Sequence, residues 1–243
     1  PVSTNDALPA IRANITLVGG RSTTIRRDPA TTNTFRILEV AAGGTLRVEG
    51  IFVLNGFLTG NGGGILNAGT LVLNHVTLSG NSAGTSTANG GDGGGLANTG
   101  QARIFNTLIS GNKAFGSSAG ATGAGGGIFN TGTGDVRLFN SRLSINTAED
   151  GGGGIDTGLN AESRIIQSTI DHNLVPAGGT GGGGIFNVGK TSLDRSLVTL
   201  NRAPSGGGVF NVPPGTVTVM RSIIRNNTPN NCVPLNTIAG CTN

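Results

Sequence analysis

The sequence predicts an all-β parallel solenoid of about eight coils, folded as a single domain. Three observations lead there. A Gly-Gly-Gly-apolar phrase recurs along the chain, with its third glycine at Gly64, Gly95, Gly127, Gly154, Gly184 and Gly208. A second phrase, apolar-x-x-Asn, follows each copy, at Leu78/Asn81, Ile109/Asn112, Leu143/Asn146, Ile170/Asn173, Val198/Asn201 and Ile224/Asn227. Between the two, apolar residues alternate with others, as in "TLVLNHVTL", which is strand periodicity with no helical stripe.

The glycine anchors are spaced by 31, 32, 27, 30 and 24 residues. A constant motif at a varying interval means a constant coil carrying a variable insertion. Further columns follow from the Asn anchor. Twelve residues before it stand Gly69, Gly100, Gly134, Ala161, Gly189 and Gly215; eight before it stand Leu73, Ile104, Leu138, Ile165, Leu193 and Val219. Five before it the residue is mostly small: Val76, Thr107, Ser141, Ser168, Ser196 and Ser222. An earlier coil fits with Gly44, Val48, Val53 and Gly56, and "ITLVGG" with "TTIRR" reads as an imperfect first one. One coil cannot bury its inner face alone, so stacking supplies the core. At the ~4.8 Å strand separation the stack is on the order of 35–40 Å tall. Residues 1–34 are read as a cap with the imperfect coil, 35–228 as the coils, and 229–243 as a C-terminal cap.

Within the glycine phrase, Ile65, Leu96, Ile128, Ile155, Ile185 and Val209 are expected to point inward, and the glycines to supply backbone angles at a coil corner. Asn67, Asn98, Asn130, Asn187 and Asn211 occupy one column, with Thr157 as the exception. They are read as a structural ladder of stacked amides. Asn81, Asn112, Asn146, Asn173, Asn201 and Asn227 are read as a second one.

Composition narrows the function. The 243 residues include 45 Gly without a Gly-X-Y period, which excludes collagen, and a net charge of +4 is far from a nucleic-acid-binding arm. No apolar run approaches the ~20 residues of a membrane span. No signal peptide is visible, so the chain reads as a mature product. Cys232 and Cys241 are expected to form a disulfide, with two free thiols as the alternative; a zinc site needs about four ligands, and neither His75 nor His172 is near in sequence. A disulfide implies an oxidising compartment.

The "GGGI" phrase followed by apolar-x-x-Asn resembles the repeats of bacterial polymorphic outer membrane proteins, which carry a Gly-Gly-Ala-aliphatic and a Phe-x-x-Asn motif. Here Gly replaces the Ala, and Ile, Leu or Val replaces the Phe. More broadly, residues 35–228 are similar to secreted right-handed parallel β-helix repeat proteins. The resemblance implies a right-handed helix and an exported, surface-exposed module, often an adhesin or passenger.

Chemistry in a solenoid accumulates by column. Nine residues before the Asn anchor stand Arg47, Val72, Arg103, Arg137, Arg164, Ser192 and Thr218, so three consecutive coils raise an arginine rung. Arginine recognises carboxylates and phosphates bidentately, which makes Arg47, Arg103, Arg137 and Arg164 candidate ligands for an acidic polysaccharide or another cell-surface component. Asp135 and Glu162, two positions earlier, are placed to neutralise Arg137 and Arg164, and Gln101 leaves Arg103 less compensated. The same two acids are the best pair for a lyase or glycoside hydrolase. Against catalysis stand the scatter of the remaining acids (Glu149, Asp150, Asp156, Asp171) and the absence of Trp and Tyr. Asp92 in "GGDGGGL" lacks the repeated acids of a calcium-binding nonapeptide, and no column is threonine-rich as ice binding would require. No catalytic residue, metal or cofactor is assigned. An outward column of Leu66, Ala97, Phe129, Asp156, Phe186 and Phe210 suggests a partner surface, a covering loop or self-association. Insertions all leave between the Asn and the next glycine phrase, and so line one edge. The expected function is an exported, non-catalytic surface module, adhesin-like or structural. An enzyme on polysaccharide, or a self-assembling subunit of an extracellular filament joined through coil ends or the apolar column, is the alternative.

Overall fold

The computed structural model describes residues 5–85, 90–116 and 123–242. Within them the chain forms strands and no helix, so none could cross a membrane as a helix. Each strand lies parallel to its equivalent one turn on, and the chain completes about seven turns. The eighth coil of the sequence reading is only partial: strand Asn14–Arg26 lies along Thr45–Leu54 and adds one rung to two sides of the stack.

The first side is built on the glycine phrase, with seven strands from Leu38–Val40 through Ile65–Asn67 to Val209–Asn211. Cys232–Val233 pairs with its last member, so the sheet continues into the segment read as a cap. The second side carries the five-residue strands Thr70–Asn74, Gln101–Phe105, Asp135–Phe139, Glu162–Ile166, Lys190–Asp194 and Thr216–Met220. Three-residue strands such as Leu108–Ser110 and Arg142–Ser144 form the third. A fourth, short side was not visible in the repeat. The first two residues of three insertions, Ser82–Ala83, Lys113–Ala114 and Thr147–Ala148, pair with one another. Single bridges extend this side through Leu174, Arg202 and Thr228. These residues belong to the coil rather than to the insertions. Parts of the first two insertions, 86–89 and 117–122, lie outside the described residues.

The inward columns are apolar because they have no water to face. Ile65, Leu96, Ile128, Ile155, Ile185 and Val209 are all 0% exposed, as are Leu73, Ile104, Leu138, Ile165 and Leu193. Val219, expected to be equally buried, is only half-buried, because Thr216–Met220 is the last strand of its side and no rung follows it. The C-terminal segment covers part of that end. Cys232 and Cys241 are disulfide-bonded, Ile238 and Cys241 join the core, and Gly240 lies against Val219. At the other end Arg36 is buried and bonds Asp6 and Glu39 at 3.0 and 2.7 Å.

Amide ladders run inside the stack. The Nδ2 of Asn81 donates to the Oδ1 of Asn112, and the relay continues through Asn146, Asn173, Asn201 and Asn227 to Asn231 at 2.9–3.1 Å. Each receiving Oδ1 also accepts the backbone N–H of the preceding Asn, as from Asn112 to Asn146 at 3.0 Å. Asn231 ends the relay although it lies outside the repeat. The first sheet's ladder runs Asn67 to Asn98 to Asn130 at 2.6 and 2.8 Å. Thr157 is too short to continue it. Ser163 and Thr191, buried where other coils carry Leu71, Ala102 or Val136, bridge the gap. Asn130 bonds Ser163, Ser163 and Thr191 both reach Thr157, Thr191 donates to Asn187, and Asn187 donates to Asn211. A third, hydroxyl ladder occupies the small column. The N–H of Thr107 donates to Ser141 Oγ, and the pattern repeats through Ser168, Ser196 and Ser222 at 2.9–3.1 Å.

The ladders explain the glycine phrase better than corner angles do. Only Gly62, Gly93 and Gly125 of the first-position glycines adopt a left-handed φ. The third glycines are fixed by lack of room. A Cβ on Gly127 would lie 2.5 Å from the Gly154 carbonyl and 3.0 Å from Asn146 Nδ2, and a Cβ on Gly184 would lie 2.7 Å from the Gly208 carbonyl and 3.0 Å from Asn201 Nδ2.

The residue before each ladder Asn takes a left-handed φ, 65° at Gly80 and Gly111 but 60° at Ile145. That conformation is unfavourable for a β-branched side chain, and Ile145 is 63% exposed, so packing returns little. Two adjacent substitutions should therefore act in opposite directions. Ile145→Asn is expected to stabilise by about 1 kcal/mol. Asn146→Ala, which strands the Asn112 donors and the Ile109 carbonyl, is expected to destabilise by about 3 kcal/mol or more. Urea denaturation followed by circular dichroism measures both.

Candidate functional site

Strand alternation puts every second side chain of the second side outward. The register brings Arg47, Val72, Arg103, Arg137 and Arg164 into one column, each opposite the next. Three of the four arginines meet carboxylates. Arg137 bonds Asp135 at 3.0 Å, Arg164 bonds both Asp135 and Glu162, and Arg47 lies 3.8 Å from Glu49. Arg103 has no acid partner among the described residues, because its strand carries Gln101 opposite Asp135. Asp135 and Glu162 stand on adjacent rungs and both hold Arg164, so the pair considered for catalysis is occupied by ion pairing.

Sequence reasoning looked for Trp and Tyr and passed over two phenylalanines on the same face. Phe105 and Phe139 follow Arg103 and Arg137 by two positions, so they share their outward direction. Their ring centroids lie 6.4 Å apart, and Phe139 is 40% exposed. Together with Arg47, Asn74 and Asn106 they outline a shallow depression. A row of amides borders it: Asn140 donates to Asn106 at 2.7 Å and Asn106 to Asn74 at 3.2 Å. The signal was present in the fifth position of these two strands. This face offers a guanidinium without an acid, two aromatic surfaces and exposed amides, which together suit a planar carboxylate on a ring with an apolar face.

The other acids are placed elsewhere. On the third side Arg142 grips Asp171 with two nitrogens, Nε at 2.8 Å from Oδ1, and His172 Nδ1 lies 2.6 Å from Asp171 Oδ2. Burial works against the Asp171 carboxylate, yet the bonds from Arg142 and His172 outweigh it and hold its pKa below the ordinary range. Asp92 accepts the Ala124 N–H at 2.8 Å, and Asp150 accepts from Thr180. No grouping of three His, Cys, Asp or Glu side chains suited to a metal occurs among the described residues.

The outward column of the first sheet is not an open apolar stripe. Ala97 and Asp156 are buried, and Leu66, Phe129, Phe186 and Phe210 are half-buried. Asp156 packs against Gly151, so the insertion that precedes its strand covers it. Its pKa is pushed up to about 8, first by burial, then by the negative charge of Asp92 and Asp150; the Gly152 N–H opposes the shift.

No known protein family's sequence pattern matches the chain, and no curated protein matches it. A solved structure, the crystal structure of pectate lyase Pel9A, is similar to it with a TM-score of 0.40 and 13% identity. That similarity covers 91% of this chain, which spans 62% of the length of the other.

Asp156 provides a pH signature. Its folded pKa lies above the ~3.9 of an unfolded aspartate, so the folded state holds the extra proton. The stability it contributes is complete below about pH 4 and is lost as pH rises towards about 8. Asp156→Asn should abolish this slope, about 1.4 kcal/mol per pH unit. Wild-type and variant denaturation curves at a series of pH values between these limits should diverge in that direction. Parallel stability profiles would contradict it.

Proposed function

We propose that the protein is a non-catalytic binding module for an acidic polysaccharide, exported and acting outside the cell as an adhesin-like surface component. The observation that carries this reading is Arg103, a guanidinium with no acid partner among the described residues, beside the half-buried Phe105 and the exposed Phe139. Arg137 and Arg164 extend the positive column but share their charge with Asp135 and Glu162. A polysaccharide lying along the stack would meet a new rung every ~4.8 Å, so several sugars could contact equivalent positions. The Cys232–Cys241 disulfide supports an oxidising compartment. The adhesin-like part of the reading rests on the likeness of the glycine and Asn phrases to surface-protein repeats.

Arg103→Glu should weaken retention on immobilised polygalacturonate about tenfold, and added salt should weaken the wild type in the same direction. Phe139→Ala should weaken it without changing the salt dependence. Affinity electrophoresis measures both. Retention indifferent to Arg103→Glu and to salt would overturn the binding face. Release of shortened or unsaturated sugar by the wild type, abolished by Asp135→Asn, would replace the binding module with an enzyme.

A further inference from the structure

The outer column of the first sheet holds an aspartate where its neighbours hold phenyl rings: Phe129, Asp156 and Phe186 stand opposite one another on successive rungs. A carboxyl fills less space than a ring; Gly151 of the preceding insertion takes up part of the difference, and part is left open. A cavity of about 230 Å³ lies there, with Phe129, Phe186, Asp150, Asp156 and Thr180 among its walls. Phe186 stacks on Phe210, centroids 5.7 Å apart and planes 10° apart, so its other face is turned towards the Asp156 rung. Phe129 and Phe186 are two rungs apart, about 9.6 Å at the usual strand spacing. An ion midway between them would lie within the ~6 Å reach of a cation–π contact with the free face of Phe186.

The charge at this place is one-sided. Asp156 is 4% exposed, and no Arg, Lys or His among the described residues pairs with it. Asp150 is fixed beside it: one oxygen, Oδ1, accepts the N–H of Gly151 at 2.8 Å and the N–H and hydroxyl of Thr180 at 2.9 and 2.7 Å. Asp92 acts on Asp156 from the preceding insertion. Among the described residues no cationic side chain pairs with Asp150 or Asp156, on a chain of net charge +4.

We propose that the notch between Phe129 and Phe186 binds a compact organic cation, an alkylammonium group seated over Asp156 with Asp150 at its rim. The rings contribute apolar contact and Phe186 its negative face, and the two carboxyls contribute charge. Binding is coupled to a proton. Asp156 is neutral at pH 7 with its pKa near 8, and a cation above it favours the ionised form, so uptake of the ligand expels a proton.

The whole protein is titrated calorimetrically with n-butylammonium, with n-butanol as the neutral probe of similar shape, and with N-acetyl-lysine methylamide as a second cationic arm. Buffers of different ionisation enthalpy report proton release. The ammonium is expected to bind about tenfold more tightly than the alcohol. Near pH 7 close to one proton should leave per ligand, falling towards zero above about pH 9. Asp156→Asn should lose the proton release and about tenfold in affinity. Asp156→Phe, which completes the row of rings, should abolish binding. Saturation by both cationic probes assigns the site to free amines and lysine side chains alike; saturation by n-butylammonium alone restricts it to free amines. Equal binding of alcohol and ammonium, absence of proton release, or undiminished binding by Asp156→Phe would overturn the proposal. Should a variant fail to fold, the wild-type comparison of alcohol with ammonium and its proton release decide the matter. Polygalacturonate retention is a separate readout on another side of the stack, so failure of either reading leaves the other to its own test.

Discussion

Side-chain amides sealed in a dry interior must find partners on every rung, and the position of this coil follows from that demand. From Asn81 to Asn227 each amide hands one hydrogen to the next amide oxygen and another to a backbone carbonyl, while that oxygen also takes a backbone N–H. An unsatisfied group here would cost about 1–3 kcal/mol. The amide plane therefore has one place to lie, and the strand across the interior must accommodate it. A Cβ at the third glycine of each phrase would collide with that amide or with the carbonyl one turn on. Glycine richness and asparagine repetition are thus two sides of a single contact, carried through the stack.

The coil that departs from the repeat shows the same constraint from within. Thr157 breaks the first sheet's amide ladder, and the polar relay survives because Ser163 and Thr191 stand where other coils place apolar side chains. The neighbouring residue, Asp156, is also irregular, and it puts a carboxyl into a row of rings. A regular coil would have neither feature. The polar interior is completed by neighbours on adjacent rungs, whereas the outer acid meets no cation among the described residues and favours its protonated form.

Outward chemistry obeys the rung spacing more loosely. Like charges stacked at ~4.8 Å repel, and Asp135 and Glu162 relieve this for Arg137 and Arg164. Arg103, one rung away, is opposite Val72 on one side and has no such acid. The asymmetry singles it out on a face whose other arginines are engaged. Phe105 and Phe139 lie beside it because alternation repeats the outward direction every second residue.

By itself the sequence determined the architecture: the column of Gly64 and its equivalents, the inward Ile65 to Val209 series, the Asn81 column and the arginine register can all be counted, because a solenoid repeats one local geometry and nearest-neighbour contacts suffice to build it. Only the tertiary structure decided what the repeat leaves out. The fourth side was hidden within insertions, since two-residue strands carry no periodicity. Asn231 ends the amide relay without belonging to a coil, and Ser163 and Thr191 rescue Thr157 across rungs, which no spacing announces. Whether Asp156 is wet or buried depended on an insertion folding back over it. Its charge state followed from that cover and from Asp92 and Asp150, acids far apart along the chain that the stacking of coils brings into one field.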